Sequence, residues 1–352
     1  MKHRFNYEWT LKDAKFTKHK GTVFSCFACG GGSTMGYKLA GFDVLGCNEI
    51  DPKMIEAYKA NHKPKYAYLE PIQTFKLRKD LPKELYNLDI LDGSPPCSSF
   101  SMAGNREKDW GKEKKFREGQ AEQVLDNLFF DFIDLAKELQ PKVVVAENVK
   151  GLLVGEAKDY VRKIYEEFDK AGYYCQHWLL DASKMGVPQR RERVFFVCLR
   201  KDLAEPFLHQ KDMFTQVPKL ELNFNEKEIP FKEIRQEKGN KNALGLSPKI
   251  KEYWLLCEAG NSFSSVHPKG SYFNEIKTHP EKVLPTIRAN GLPYDYKVQR
   301  TLFNDECKKA GSYPLDYDFV SNKPVYLIGM SVPPVMTANI ATEIYNQWLN
   351  CL

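Results

Sequence analysis

Thr22-Val23-Phe24-Ser25-Cys26-Phe27-Ala28-Cys29-Gly30-Gly31-Gly32 is the stretch that decides the fold. A run of β-formers gives way to three consecutive glycines, and a segment of helical character follows from Met35 to Ala40. Strand, glycine turn, helix is how a Rossmann-type crossover begins, because glycine lets the main chain approach a bulky ligand closely. Gly41 to Glu49 then reads as a second strand ending in a carboxylate. An acid about 20 residues past the turn suits hydrogen bonds to a ribose diol. Asp51-Pro52 opens the next helix as cap and first residue. Cys26 and Cys29 have CxxC spacing, but no second pair completes a zinc set.

A second decisive stretch is Asp92-Gly93-Ser94-Pro95-Pro96-Cys97-Ser98-Ser99-Phe100-Ser101. The apolar run Leu88-Asp89-Ile90-Leu91 before it reads as a buried strand. Gly93 and two prolines stop that strand and stiffen the loop that presents the Cys97 thiol. In an open α/β sheet, ligands bind beyond the carboxyl ends of the strands, so a thiol held there is a candidate nucleophile. Gly104 to Gly119 carries six basic residues interleaved with Trp110 and Phe116, the composition of a lid over phosphates or of a solvated loop. Leu125, Leu128, Phe129, Phe132, Ala136 and Leu139 repeat at helical spacing, which predicts core packing. Val143 to Ala146 is a buried strand with Glu147 at its carboxyl end, on the same sheet edge as Cys97. Ala157 to Lys170 is helical, and Trp178–Asp181 and Val194–Leu199 read as a strand pair. Between those strands, alternation puts Gln189, Arg191 and Arg193 on one face if the segment is extended, an arrangement suited to clamping an anion or a carbonyl oxygen.

The chain has 352 residues, 42% hydrophobic and 28% charged, with a net charge of +6. That length and core capacity suit one large domain and a smaller one, and the charge leans mildly toward a polyanionic partner. The nine cysteines form no disulfide-like framework, which predicts a reducing, cytoplasmic setting. No signal-peptide core stands at the amino terminus, and no apolar run approaches a membrane span, so no membrane partner is expected.

Taken together, the motifs resemble the cytosine-5 DNA methyltransferases, which use S-adenosylmethionine. Phe27-Ala28-Cys29-Gly30-Gly31-Gly32, Asn48-Glu49-Ile50-Asp51, Pro95-Pro96-Cys97, Glu147-Asn148-Val149 and Gln189-Arg190-Arg191-Glu192-Arg193 follow in the family's order. Leu284-Pro285-Thr286-Ile287 and Gly329-Met330-Ser331-Val332-Pro333 come near the carboxyl end. The likeness covers nearly the whole chain except about 201–280. A nicotinamide-dependent dehydrogenase would leave Cys97, Glu147 and the arginines unexplained. This sequence departs from the family pattern at Cys29 (usually glycine), at Pro71 (usually aspartate), at Ser98 (often glutamine) and at Met330 (usually asparagine).

The resemblance implies an α/β fold: a Rossmann-like, mostly parallel sheet with a smaller irregular target-recognition domain. The catalytic domain is expected over 1–200, completed by a C-terminal helix within 326–352, with recognition domain and hinge over 201–325. It implies Cys97 as the nucleophile at carbon 6 of cytosine, Glu147 at ring nitrogen 3, and Arg191 and Arg193 at the ring oxygen and nearby phosphates. It places S-adenosylmethionine against Phe27, Ala28, Cys29, Gly30, Gly32, Glu49, Ile50, Ile72, Ser94, Pro96, Leu128, Met330 and Ser331, with no metal. The target base must leave the duplex to be reached. Double-stranded DNA is the expected partner of a monomer that works in, or is related to, a bacterial or phage restriction-modification system with a cognate endonuclease. A tRNA cytosine-5 methyltransferase of the same architecture is the alternative.

Overall fold

The computed structural model describes residues 3–96, 127–154, 157–210, 216–239 and 245–352, and the main chain of 113–114 and 123–124. The chain divides into two units, and each is described by itself. The larger comprises Phe16–Leu180, Glu192–Asn223 and Ile340–Leu352.

Its centre is a seven-stranded sheet. Strands β1 (Thr22–Cys26), β2 (Asp43–Glu49), β3 (Tyr66–Leu69) and β4 (Ile90–Gly93) come first along the chain. Two short paired strands, β5 (Glu113–Lys114) and β6 (Gln123–Val124), stand outside the sheet. Then follow β7 (Val143–Val149), β8 (Tyr173–Asp181) and β9 (Glu192–Arg200). The order is β3-β2-β1-β4-β7-β9-β8, parallel from β3 through β7, with β9 antiparallel to β7. Strand order reverses between β1 and β4, which is where a doubly wound sheet opens its ligand crevice. Both sequence-predicted loops, the glycine turn after β1 and the Pro-Pro loop after β4, leave neighbouring strands at that point.

The sheet is buried on both faces, which is why β1, β4 and β7 read as continuous apolar runs. Helices α1 (Gly32–Ala40), α2 (Pro52–His62) and α3 (Ile72–Phe75) lie in the first half. Of the expected stripe, Leu125 lies outside the described residues, and Leu128, Phe129, Phe132, Ala136 and Leu139 on helix α4 (Leu128–Leu139) pack, together with Ile133, with Phe24, Leu91, Val144 and Ala146 in one core. Helix α5 (Ala157–Lys170) adds Tyr160, Ile164 and Phe168 to the same core. Gly93, the last residue of β4, is glycine for a steric reason, since a Cβ there would stand 2.5 Å from the Phe132 ring. The strand containing Glu147 is longer than expected and runs on to Val149, so Glu147 sits inside β7 opposite Phe195.

The smaller unit comprises Met1–Lys15, Asp181–Arg191 and Phe224–Asn339. Its regular structure includes α6 (Phe231–Ile234), α7 (Pro248–Leu256), α8 (Asn304–Ala310) and α9 (Pro324–Met330); α10 (Pro334–Gln347) begins here and ends in the larger unit. Among its described residues, isolated bridges and buried polar links stand where a sheet would. Asp295 and Glu306, both 0% exposed, bind Arg300 at 2.8 and 2.7 Å, and Asp295 also binds Arg235 at 2.8 Å. Arg300 stacks over Phe303 and Arg235 over Tyr296. Sequence reading expected no stretch of membrane-spanning length. Pro324–Cys351 is long and apolar enough by length and composition, because α9 and α10 are both core helices; 72% of that window is buried inside the protein.

Candidate active site

The cradle after β1 is tight. Phe27 and Cys29 both take left-handed φ, at 52° and 50°, and Gly31 at 85° forms the N-cap of α1. A side chain other than glycine in that region costs roughly 1–3 kcal/mol and persists only where neighbours enforce it. Here Glu49 is one enforcer. It accepts from Cys29 N at 2.7 Å, Ile50 N at 2.8 Å and Asp51 N at 2.9 Å. Burial pushes its carboxyl pKa upward, and the three amide donors partly offset that. Asp51 caps α2 through Lys53 N and Met54 N, with Pro52 first in the helix, as the sequence indicated. The Cys29 thiol is turned toward Met54, 3.6 Å away.

A second support was not legible in the sequence. His62, the last residue of α2, sets Nε2 3.2 Å from the Gly30 carbonyl oxygen and packs edge-on to Tyr58. The Tyr58 and Thr34 hydroxyls are 2.9 Å apart, tying α2 to the start of α1. A Cβ on Gly31 would come within 2.2 Å of His62 Nε2, so the imidazole fills the space under the turn. Burial, and then the Lys38 charge, hold the His62 pKa down at about 3.

These residues fit a ribosyl cofactor. A carboxylate offers about four acceptor positions, and the three amides leave Glu49 capacity for a ribose hydroxyl. Phe27 is half-buried against the edge of Phe132. Ala28, Gly30 and Gly32 lie in or beside the turn, and half-buried Ile50 follows Glu49. Ile72, 2% exposed, and Leu128, 0% exposed, are packed with Phe75 and Phe132 in the core. At the family's aspartate position, Pro71 caps α3, and Glu70 beside it binds Arg78 at 2.9 Å. Met330 and Ser331 belong to the smaller unit. Met330 is 46% exposed, whereas Ser331 is buried, donating to Leu327 O and accepting from the Tyr313 hydroxyl at 2.6 Å.

At the end of β4, buried Asp92 accepts from Ser25 Oγ at 2.7 Å and Tyr37 Oη at 3.1 Å. Burial raises its pKa to about 7 against the pull of those two hydroxyls, and the Glu147 charge adds to the rise. Ser94 and Pro96 are half-buried, and the Pro95 carbonyl accepts from Asn148 Nδ2 at 3.2 Å. The Pro-Pro loop is therefore held by the residue that follows Glu147. Cys97 and the basic Gly104–Gly119 segment lie outside the described residues, apart from the main chain of Glu113–Lys114.

Glu147 Oε1 is 2.9 Å from Arg193 Nε, and both side chains are mostly buried. Burial pushes the guanidinium pKa down, and Glu147 opposes that. Val145 pairs with Asp92, so Asp92 and Glu147, two residues on, lie on one face of the sheet. Arg191 has a different setting from Arg193. It is 2% exposed and donates to Ile287 O at 3.2 Å and Gly329 O at 2.9 Å, all within the smaller unit. Gln189 accepts from Ile287 N and donates to Ala310 O in the same unit. The expected clamp thus resolves into one arginine that holds main chain and one that pairs with a carboxylate.

The sheet order, the glycine cradle and the carboxylate on the adjoining strands define a Rossmann-like methyltransferase fold. The sequence pattern of the C-5 cytosine-specific DNA methylases matches residues 21–346, and the chain belongs to that family, whose enzymes depend on S-adenosylmethionine. It is 27% identical over 350 residues to the Type II methyltransferase M.NgoFVII of Neisseria gonorrhoeae, covering 95% of this chain and 89% of that one. Type II methyltransferase M.FnuDI of Fusobacterium nucleatum is 38% identical over 181 residues, a match that spans 51% of this chain and 47% of the relative. Among solved structures, one described as a prophage-encoded DNA modification methyltransferase of E. coli superimposes with a TM-score of 0.67 at 20% identity, covering 93% of this chain and 99% of that one.

Proposed function

We propose that the protein transfers a methyl group to carbon 5 of cytosine within a specific double-stranded DNA sequence. The observation that carries this reading is the juxtaposition on adjacent strands. The Pro-Pro loop leaves β4, Glu147 and Arg193 pair on β7 and β9, and Asn148 joins loop to strand. Bound S-adenosylmethionine supplies the methyl group as an electrophile.

Carbon 5 of cytosine is a weak nucleophile. The Cys97 thiolate adds to carbon 6, which makes carbon 5 an enamine carbon able to attack the methyl. Glu147 protonates or hydrogen-bonds ring nitrogen 3, which stabilises the electron pair displaced from the C5–C6 double bond as sulfur adds. Arg193 orients Glu147 and stabilises developing negative charge. Arg191 is a positioning residue: its bonds to Ile287 and Gly329 fix the segment that leads into β9. A base then removes the carbon 5 proton and Cys97 leaves. The target cytosine is flipped out of the duplex for this, and the basic Gly104–Gly119 segment closes over it. Residues 1–200 with the helix within 326–352 form the catalytic domain, and 201–325 read the DNA. The relatives' names support a bacterial restriction-modification setting; a phage setting as the alternative, and a cytoplasmic monomer paired with a cognate endonuclease, are part of the proposal.

The test is transfer of labelled methyl groups from S-adenosylmethionine to mixed-sequence duplex DNA, with tRNA in parallel, followed by sequencing that marks 5-methylcytosine. Label at one DNA motif is the expected result. Label in tRNA alone would move the protein to the RNA branch.

A further inference from the structure

Phe273 is the most exposed large apolar side chain among the described residues, at 75%. It sits on a turn that is pinned from several sides. Ser262 Oγ lies 2.9 Å from Tyr272 O and 2.7 Å from Phe273 O. His267 Nδ1 accepts from Lys269 N and Ser271 N, both at 3.1 Å. Arg288 donates to Asn274 O at 2.7 Å. Behind the turn, the rings of Tyr253, His267 and Tyr272 meet pairwise at 5.3–5.5 Å. Tyr272 is held in the left-handed region at φ 65°, a conformation it keeps only because its surroundings enforce it. A folding core gains nothing from an outward phenyl ring. The pinned turn holds the ring in one position, open to a partner that brings an apolar face.

The charge around the turn says which kind. Lys269 is exposed four residues before Phe273, Lys249 lies over the Tyr272 ring, and Arg288 supports Asn274. Glu275, two residues past Phe273, is engaged by Arg288 at 3.5 Å. Cations beside an exposed aromatic match a phosphate backbone with stacked bases inside it.

We propose that the 267–274 turn docks on duplex DNA and that Phe273 inserts at a base step while Lys269 takes a phosphate. The inference rests on the DNA reading given above. The test compares wild type, Phe273→Ala, Phe273→Trp and Lys269→Gln by titration into a linear plasmid duplex at several salt concentrations. Thermal stability and S-adenosylmethionine affinity are measured alongside. Losing one aromatic–base stack should weaken duplex binding about fivefold or more, with little change in salt slope. Phe273→Trp should restore binding, and Lys269→Gln should lower the salt slope by about one. Stability and cofactor affinity should not move, since the ring is exposed. Duplex affinity of Phe273→Ala within twofold of wild type would overturn the inference. So would a loss that Phe273→Trp fails to restore. If wild type methylates DNA and Phe273→Ala behaves as wild type, only this inference falls. If wild type binds duplex through Phe273 yet transfers no methyl group to it, the docking stands and the catalytic reading falls.

Discussion

Replacing His62 with glutamine tests whether the cofactor turn rests on a neutral imidazole. His62 is 7% exposed, and its Nε2 donates to Gly30 O at 3.2 Å. Burial holds the folded-state pKa at about 3, against an ordinary value of 6.5. A histidine depressed in this way contributes stability that is complete above about pH 6.5 and is lost as pH falls toward 3, because the unfolded chain takes up the proton first. Over pH 7 to 5 the loss is set by the unfolded value alone, since the folded ring stays neutral throughout. One proton at 1.36 kcal/mol per pH unit, over about 1.4 effective units, gives roughly 2 kcal/mol. Glutamine keeps an N–H donor for Gly30 and does not titrate. Its own fixed cost, of order 1 kcal/mol for altered packing and hydrogen bonding, is the same at both pH values and cancels. Asp92 and Glu49, whose raised pKa values act in the opposite sense, titrate in both proteins and cancel as well. Urea unfolding of wild type and His62→Gln at pH 7 and pH 5 should therefore show wild type losing about 2 kcal/mol more than the variant. Equal losses in the two proteins would refute the neutral, buried imidazole.

Three further outcomes follow from the contacts. Arg193→Met removes the cation at 2.9 Å from Glu147, and should lower kcat for methyl transfer about 10²–10³-fold while S-adenosylmethionine affinity, read by calorimetry, stays within twofold. Asn148→Ala frees the Pro95 carbonyl, and one neutral hydrogen bond of about 1 kcal/mol should appear as a roughly fivefold drop in kcat, again with cofactor affinity unchanged. Asp295→Asn strips charge from between Arg235 and Arg300 in a fully buried site, and should cost about 3–5 kcal/mol by urea unfolding; a cost below 1 kcal/mol would mean that the network contributes little.

What the sequence made legible was what local chemistry imposes. Three glycines after a β-rich run could only be a turn, and Pro95-Pro96 could only end a strand. The stripe on α4 is a 3.6-residue period that any core helix shows. Less legible was how a side chain answers to distant partners. Arg191 donates to carbonyls 96 and 138 residues away, so no local pattern distinguishes it from Arg193. Ile72 and Leu128 match cofactor positions by motif, and the fold also packs both into the core with Phe75 and Phe132, which no local pattern announces for Ile72. Glu147 was expected just past a strand end; antiparallel pairing with β9 carries β7 three residues further. His62 carries no sequence signal, because a histidine at the end of a helix is ordinary until the glycine turn is folded over it. The irregular region after Arg200 resisted reading because its buried apolar residues, Tyr253, Cys257 and Phe263 among them, follow no long helical or strand period and stand beside buried ion pairs.

The central claim is covalent attack by Cys97 on a cytosine ring at the edge of this sheet. It is tested most directly with a duplex whose target cytosine carries fluorine at carbon 5. Fluorine cannot leave as a proton does, so elimination of the cysteine is blocked after methyl transfer. With S-adenosylmethionine present, the denatured protein should gain the mass of one methylated strand, the adduct should map to Cys97, and Cys97→Ser should bind the cofactor but form none. Efficient methylation of the unmodified duplex with no adduct at Cys97 on the fluorinated one would contradict the account.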